Sequence, residues 1–432
     1  MKVFLKTFGC KVNAAETDSI AALLIQKGWE ITDVPEQADV LLVNSCTVTA
    51  SGDRRMMQAV RKLRKSAPDA VLLLTGCYVQ AFPEEASGIP EADIITGTKN
   101  RLQIPALLEA YFQNPHRISA VEQFVSGEDF ESLPQGSDEG HTRAFLKIQD
   151  GCNRFCSYCI IPYARGRCRS RNPEEIRTEA EKLIRQDYRE IVLCGINLAC
   201  YEDNSLDIAD AVRITAESGV SHVRLGSLEP DGLTPEVLKK LSEIPALCPH
   251  FHISVQSGCD KTLKAMHRHY TCAEYAELIS QIRELFPGCA VTTDIMTGFP
   301  GESEEDFAQT LEFVKEIRFS EIHIFRYSPR SGTPASKSPE QIPERIKKER
   351  SDRLAELAET LRREYLETCI GGVHSVLFER QKSPEWHNGH AGNYAVVQVP
   401  AQPGENFRNQ IYDVRITGIQ DGKLTGEIIH NS

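Results

Sequence analysis

No run of apolar residues in this chain approaches the roughly 18 that a membrane span needs. Stretches such as Val40–Val43 and Val71–Leu74 are only a few residues long. The apolar part of the opening Met1–Cys10 is too short and too interrupted for a secretory signal. The expectation is a soluble cytoplasmic protein with no membrane contact. Internal repeats, coiled-coil heptads and low-complexity tracts are missing as well. Positive charge is in deficit: 49 Lys and Arg stand against 61 Asp and Glu, a formal net charge of −12. That does not suggest a general nucleic-acid coat protein but leaves room for a local basic patch. The 12 histidines show no ligand spacing, and His387 and His390 read as residues of a flexible turn.

The 432 residues suggest two or three domains, and 41% hydrophobic with 25% charged residues is the balance of a folded globular protein. Cysteine is plentiful, at 14 residues. In a reducing compartment, clustered cysteines are metal ligands or reactive thiols sooner than disulfides.

Three early stretches share one form. Val3–Cys10, Asp39–Cys46 and Ala70–Cys77 each read as a short apolar strand, a small polar turn and a cysteine. Their apolar cores are continuous, as in parallel strands buried on both faces. Helical segments at Ala14–Lys27, Ser51–Lys65 and Ile104–Phe112 complete an α/β pattern, a doubly wound parallel sheet over residues 1–128. Ligands in such sheets bind at the carboxyl ends of the strands, where Cys10, Cys46 and Cys77 stand. A Gly-, Ser-, Pro- and acid-rich linker follows at Ser126–His141. From 140 to 369 strands and helices alternate again. Six strands, Ala144–Ile148, Glu190–Cys194, His222–Leu225, Phe251–Val255, Ala290–Ile295 and Glu321–Tyr327, predict a partial (β/α) barrel with its active site on the C-terminal loops. From 370 to 432 the texture changes to short strands at Gly371–Leu377, Gly392–Val399, Tyr412–Ile419 and Leu424–His430, a small antiparallel β-barrel.

The strongest chemical signal is Cys152-Asn-Arg-Phe-Cys156-Ser-Tyr-Cys159, directly after the first barrel strand. Three thiolates on one loop can hold three irons of a [4Fe-4S] cube and leave the fourth open. A tetrahedral zinc site would need a fourth ligand. If Cys10, Cys46 and Cys77 lie on neighbouring strands, about 4.8 Å apart, they can hold a second such cluster. The remaining cysteines lack metal-ligand spacing. Cys168, set among arginines, is the one nearest a site.

The CxxxCxxC loop resembles that of the radical S-adenosylmethionine (SAM) superfamily. Over essentially its whole length the chain resembles the methylthiotransferases of that superfamily. The motifs that carry the likeness are Thr7-Phe-Gly-Cys-Lys-Val-Asn13, Asn44-Ser-Cys-Thr-Val-Thr49, Thr75-Gly-Cys77 and Gly151–Arg167. The stretches 9–13 and 156–167 look most like the branch that modifies threonylcarbamoyladenosine beside the tRNA anticodon. Ala14-Ala15, and Cys168 where serine is expected, depart from it. The resemblance implies two [4Fe-4S] clusters, SAM as both methyl donor and radical source, methylthio transfer to adenine C2, and a reductase or flavodoxin-type electron donor. It also implies that the C-terminal barrel is a TRAM-like RNA-binding module. Other acceptors within the family are isopentenyladenosine in tRNA and a ribosomal-protein aspartate. Outside it, a non-catalytic iron–sulfur redox protein is the competing class.

Within that frame the strand ends supply candidates for SAM: Gly195 and Asn197, Glu229 for the ribose hydroxyls, Gln256, and Asp294 with Gly298. Arg154, Arg165, Arg167, Arg169 and Arg171 fall in a span with no Asp or Glu, the pattern of phosphate contact. Arg54, Arg55, Arg61, Lys62, Arg64 and Lys65 form a basic helix run. On the C-terminal barrel Asn393, Tyr394, Arg408 and Arg415 are candidates to stack with and pair RNA.

Overall fold

The structure is a computed structural model that describes residues 1–125, 127–136, 142–381, 383–402 and 404–429. Among them, no helix is long and apolar enough to cross a membrane.

The N-terminal unit is an all-parallel sheet of six strands: β1 (Lys2–Thr7), β2 (Glu30–Ile31), β3 (Val40–Ser45), β4 (Val71–Gly76), β5 (Ile94–Thr96) and β6 (Ile118–Ala120). Their spatial order is β2-β1-β3-β4-β5-β6. The continuous apolar cores of β3 and β4 are buried on both faces, because helices cover each side. Ile20, Leu24 and Leu108 pack on Val40, Leu42 and Leu73 from one side. Met56, Val60 and Leu63 pack on Leu41, Val43 and Leu72 from the other. The short strands β2, β5 and β6 escape the sequence pattern, since two or three residues carry no periodicity.

The central unit holds β7 (Ala144–Lys147), β8 (Gln149–Asp150), β9 (Arg169–Ser170), β10 (Glu190–Cys194), β11 (His222–Leu225), β12 (Ser227–Leu228), β13 (His250–Ile253), β14 (Ala290–Thr297) and β15 (Glu321–Arg326). The sheets β11-β10-β7 and β12-β13-β14-β15 meet where Gly226 interrupts one strand. Six parallel strand positions therefore make the partial barrel, closed outside by helices whose apolar faces join one core. The 25-residue helix Glu344–Thr368 gives Leu354 and Leu361 to that core and Leu366 to the next.

The C-terminal unit is a closed barrel of β16 (Val373–Phe378), β17 (Trp386–Ala391), β18 (Val396–Pro400), β19 (Ile411–Gln420) and β20 (Lys423–Ile428). Two sequence expectations need correction here. His387 and His390 lie on β17, not in a turn: His387 is buried against Phe407 and His390 faces Glu379 at 2.9 Å. The barrel is also not purely antiparallel, because β18 and β20 pair in parallel to close it. His430, expected to end the last strand, lies outside the described residues, as do Ser126 and residues 137–141 of the linker. Residues 127–136 are no loose tether: Leu133 is buried, and Gln135 donates to the Phe145 carbonyl at 3.0 Å.

The N-terminal and central units are joined by a buried charge network. Glu16, on helix Lys11–Gln26, is 1% exposed. It pairs with Arg101 (2.9 Å), Arg165 (2.8 Å) and Lys147 (2.6 Å). Asp150 shares Lys147 (2.6 Å) and Arg165 (3.0 Å). Burial alone would push the Glu16 carboxyl up, but the three cations outweigh it and hold it at about 2. Asp150 is likewise held well below the usual carboxylate range, by Lys147 and Arg165 against the effect of burial.

Glu16→Gln should therefore cost about 3–5 kcal/mol, because it strands buried cations. A group whose folded pKa is depressed contributes stability that is present above its ordinary value of 4.5 and lost as pH falls through about 2. The urea midpoint of the wild type should fall through that window, and that of Glu16→Gln should fall less.

Candidate functional site

The first cysteine triad is built by strand register. In the parallel ladder Thr7 lies opposite Asn44, and Ser45 opposite Gly76. Cys46 and Cys77 are then the next residues beyond two aligned strand ends. Cys10 is the N-cap of helix Lys11–Gln26, and Cys77 opens the short helix Cys77–Ala81. Gly9, at φ +104°, makes the approach possible: a Cβ there would stand 2.6 Å from Cys46 Cβ and 2.8 Å from its Sγ. Asn13 ties the loops together, its Nδ2 donating to the carbonyls of Phe8 (2.7 Å) and Ser45 (3.0 Å). Burial pushes the Cys77 thiol up to about 12 despite the guanidinium of Arg165, with Cys46 and Cys10 adding to the rise. Arg165 Nε donates to Cys77 Sγ at 3.2 Å.

The second triad sits on a loop pinned at both ends. β8 before it pairs antiparallel with β9 after it. The Cys152 N–H donates to the Gly166 carbonyl at 3.1 Å, and the Cys159 N–H to the Cys156 carbonyl at 3.0 Å. Phe155 takes the left-handed conformation (φ 48°), uncommon for an aromatic residue and a mark of a sharply folded loop. Arg268 donates to Cys156 Sγ at 3.4 Å and forks onto Glu229. Burial raises the Cys152 thiol to about 12, and Cys159 is raised by burial and by Cys156.

Each triad is thus a soft, all-thiol donor set. Cys46, Cys77, Cys152 and Cys159 resist ionisation, chiefly through burial, a condition that a bound cation reverses. Three thiolates, from separate turns in the first triad and from one loop in the second, fit an iron–sulfur cluster with one open iron. They fit a four-ligand zinc centre poorly.

A cavity of about 170 Å³ joins the two units. Cys159 and Tyr158 of the second triad's loop line it, with Val48 and Thr49 just beyond Cys46, and with Gln256, Asp294 and Met296 from strand ends. Of the residues expected to bind SAM, Gln256 and Asp294 lie in this cavity. Gln256 holds φ 71° between its N–H bond to the Asp294 carbonyl and the bond its own carbonyl accepts from Met296. Asp294 accepts from Ser254 (2.8 Å) and faces His252 and His323, each at 3.3 Å. Asn197 keeps a buried side-chain oxygen without a partner, an acceptor suited to an ammonium group. Gly195 packs on Gln149, whose Oε1 accepts the Asn197 N–H at 2.8 Å. Glu229 is engaged by Arg268, and burial pushes its carboxyl up. Gly298 must be corrected: its N–H donates to Glu302 at 2.8 Å and its α-carbon packs on Lys347, so that N–H is not offered to a cofactor.

The basic residues also divide. Arg165 and Arg171, expected at phosphates, are 0% and 4% exposed. Arg165 serves Glu16 and Asp150, and Arg171 serves the Leu133 carbonyl and Glu175. The span carries no acid of its own, but the fold brings acids to it from elsewhere. Arg154 likewise pairs with Asp231 at 2.6 Å. Arg167 is exposed over Phe155, and Arg169 is half-buried over Phe124. Arg415 is exposed on β19, as are Arg54, Arg55, Arg61, Lys62 and Lys65 on helix Ala50–Ser66. Arg64 is held by Asp93 and by backbone carbonyls. Tyr394 is not on a free barrel face. It lies 5.0 Å from His250, 4.9 Å from His390 and 4.7 Å from the Arg224 guanidinium. Sequence reasoning missed Arg268, His252, His323 and Arg330, because each meets a partner distant in sequence. Arg330, for one, reaches Asp53 (2.6 Å) and Thr47 across the two units.

Gly9→Ala should displace Cys46 and impair metal loading of the first triad while sparing the second. Iron bound per chain should fall by about half, with the far-ultraviolet circular dichroism unchanged.

Residues 146–314 match the Radical SAM superfamily, and residues 2–97 match Uncharacterized protein family UPF0004. The threonylcarbamoyladenosine tRNA methylthiotransferase MtaB of Bacillus subtilis is 38% identical over 422 residues, covering 96% of this chain and 93% of that one. The tRNA-2-methylthio-N(6)-dimethylallyladenosine synthase of Moorella thermoacetica is 34% identical over 439 residues, covering 98% and 97%. Among solved structures, the radical SAM methyltransferase TsrM of Kitasatospora setae shares the fold at TM-score 0.58 and 15% identity, over 87% of this chain and 77% of that one. With both family models matched and this identity over nearly its whole length, the chain belongs to the radical SAM methylthiotransferase family.

Proposed function

We propose that this protein transfers a methylthio group to C2 of N6-threonylcarbamoyladenosine beside the anticodon of tRNA. The observation that carries the chemistry is the shared cavity, where Cys159 of one triad and Val48–Thr49 beside the other line a single space. The acceptor is supported by the likeness of stretches 9–13 and 156–167 to that branch, and by relatives of that name at 34–38% identity. In this reading residues 1–128, 140–369 and 370–432 are the sulfur-carrying, SAM-cleaving and RNA-binding units of a cytoplasmic enzyme. Its electron donor is a reductase or flavodoxin-type protein.

Cys10, Cys46 and Cys77 would hold one [4Fe-4S] cluster and Cys152, Cys156 and Cys159 the other; bound there, they supply a sulfur-binding site and an electron for SAM cleavage. The chain's own residues do the rest. Asn197 and Gln149 orient the amino end of SAM, and Glu229, braced by Arg268, faces its ribose. Tyr158, Ile160, Met296 and Tyr327 wall the cavity against water. Val48 and Phe325, 53% and 42% exposed at its rim, offer apolar surface to a base drawn out of the anticodon loop. The exposed Arg54, Arg55 and Arg167 are placed to meet phosphates.

Cys152→Ala should abolish SAM cleavage. Cys46→Ala should leave some cleavage but block sulfur insertion; normal insertion by that variant would refute the second-cluster assignment. Mass spectrometry of tRNA nucleosides from cells lacking the protein should show loss of the 2-methylthio form, with N6-threonylcarbamoyladenosine accumulating. If the dimethylallyl nucleoside loses its methylthio group instead, the acceptor is that base.

A further inference from the structure

We propose that Lys11 recognises the carboxylate of the threonylcarbamoyl substituent, and so selects that adenosine over one carrying an apolar group. The inference rests on the acceptor assigned above. Lys11 follows Cys10 directly and begins helix Lys11–Gln26. Its Nζ lies 5.7 Å from the centroid of Tyr394, the ring that sits between the central and C-terminal units against His250. The residue is exposed, and its charge faces Arg224, Arg143, Cys194 and Glu190.

The other cations nearby are already paired. Arg224 forks onto Glu190 at 3.0 and 3.1 Å. Arg143 is shared by Glu190 (3.1 Å) and Glu379 (3.0 Å). Lys147 serves Glu16 and Asp150. Among the described residues, no carboxylate stands within ion-pair distance of Lys11, and its ammonium makes no hydrogen bond to another side chain. A cation held there without a counter-charge is poorly compensated, and an incoming anion relieves it.

The substrate carries that anion in a fitting place. Threonylcarbamoyl ends in a free α-carboxylate, whereas dimethylallyl is hydrocarbon. N6 lies across N1 from C2. With C2 held at the first triad the substituent projects from the far side of N1, and Lys11, next to Cys10 in the chain, is the cation assigned to meet it. A site built around an unpaired charge rejects an uncharged analogue more strongly than an apolar pocket rejects a slightly larger one.

The test uses the full chain with both clusters loaded and SAM present, under anaerobic conditions. Fluorescence anisotropy would follow binding of three anticodon stem-loop RNAs. These carry threonylcarbamoyladenosine, its carboxamide, or dimethylallyladenosine. The wild type should prefer the carboxylate RNA over the carboxamide by at least about tenfold, the scale of one hydrogen bond to a charged group. Lys11→Met, with unchanged iron content, should bind both alike, and Lys11→Arg should keep the preference. Retention of the full preference by Lys11→Met overturns the role of Lys11 but leaves the acceptor standing. Tighter wild-type binding of the dimethylallyl RNA overturns the acceptor, and the inference with it.

Discussion

A single buried carboxylate, Glu16, with the three cations gathered around it, joins the two halves of the site. Arg101 comes from the N-terminal unit, Lys147 from the first barrel strand, and Arg165 from just beyond the second cysteine loop. Taking such charges out of water is costly, and only dense mutual pairing offsets it. The pairing therefore demands one docking of the two units. Arg165 carries that constraint to the chemistry: the same guanidinium that grips Glu16 and Asp150 donates to Cys77 Sγ. Any loosening of the interface is felt at a thiol.

The two triads are assembled by different routes. Cys10, Cys46 and Cys77 converge because parallel strands in register end at one level, and because Gly9 and Gly76 admit backbone where a side chain would collide. Cys152, Cys156 and Cys159 converge because a single loop is clamped by a two-residue antiparallel ladder. The first depends on tertiary register and the second on local spacing. Arg330 adds a further brace, running from the end of the barrel to Thr47 beside Cys46.

The C-terminal barrel is fastened to the central unit by polar contacts. Arg224 donates to the carbonyls of Ala391 and Gly392, and His222 meets Ser375 at 3.0 Å. The adjoining turn carries Tyr394 inward, among cations and histidines, and leaves Arg415 facing out. The fold thus divides the basic residues by task. Those that knit units together are buried and paired, and the others are exposed on helix Ala50–Ser66, at Arg167 and on β19.

The sequence by itself determined most of the architecture and both triads. Continuous apolar runs such as Val71–Leu74 can only be strands buried on two faces, and a CxxxCxxC loop after a strand carries its chemistry in its spacing. Periodicity is a local property, so strands of two or three residues and the β17 hairpin strand with its histidines left too little of it to read. The tertiary structure alone decided which charges are paired. Arg165 looks like part of a phosphate patch along the chain because Glu16 lies 149 residues away, and Arg171 is claimed by the Leu133 carbonyl and by Glu175 just past the span; Lys11 looks like one more surface lysine, because Glu190 goes to other cations. Charge compensation acts through space, across sequence separations of more than a hundred residues, and only the folded interface shows where it succeeds.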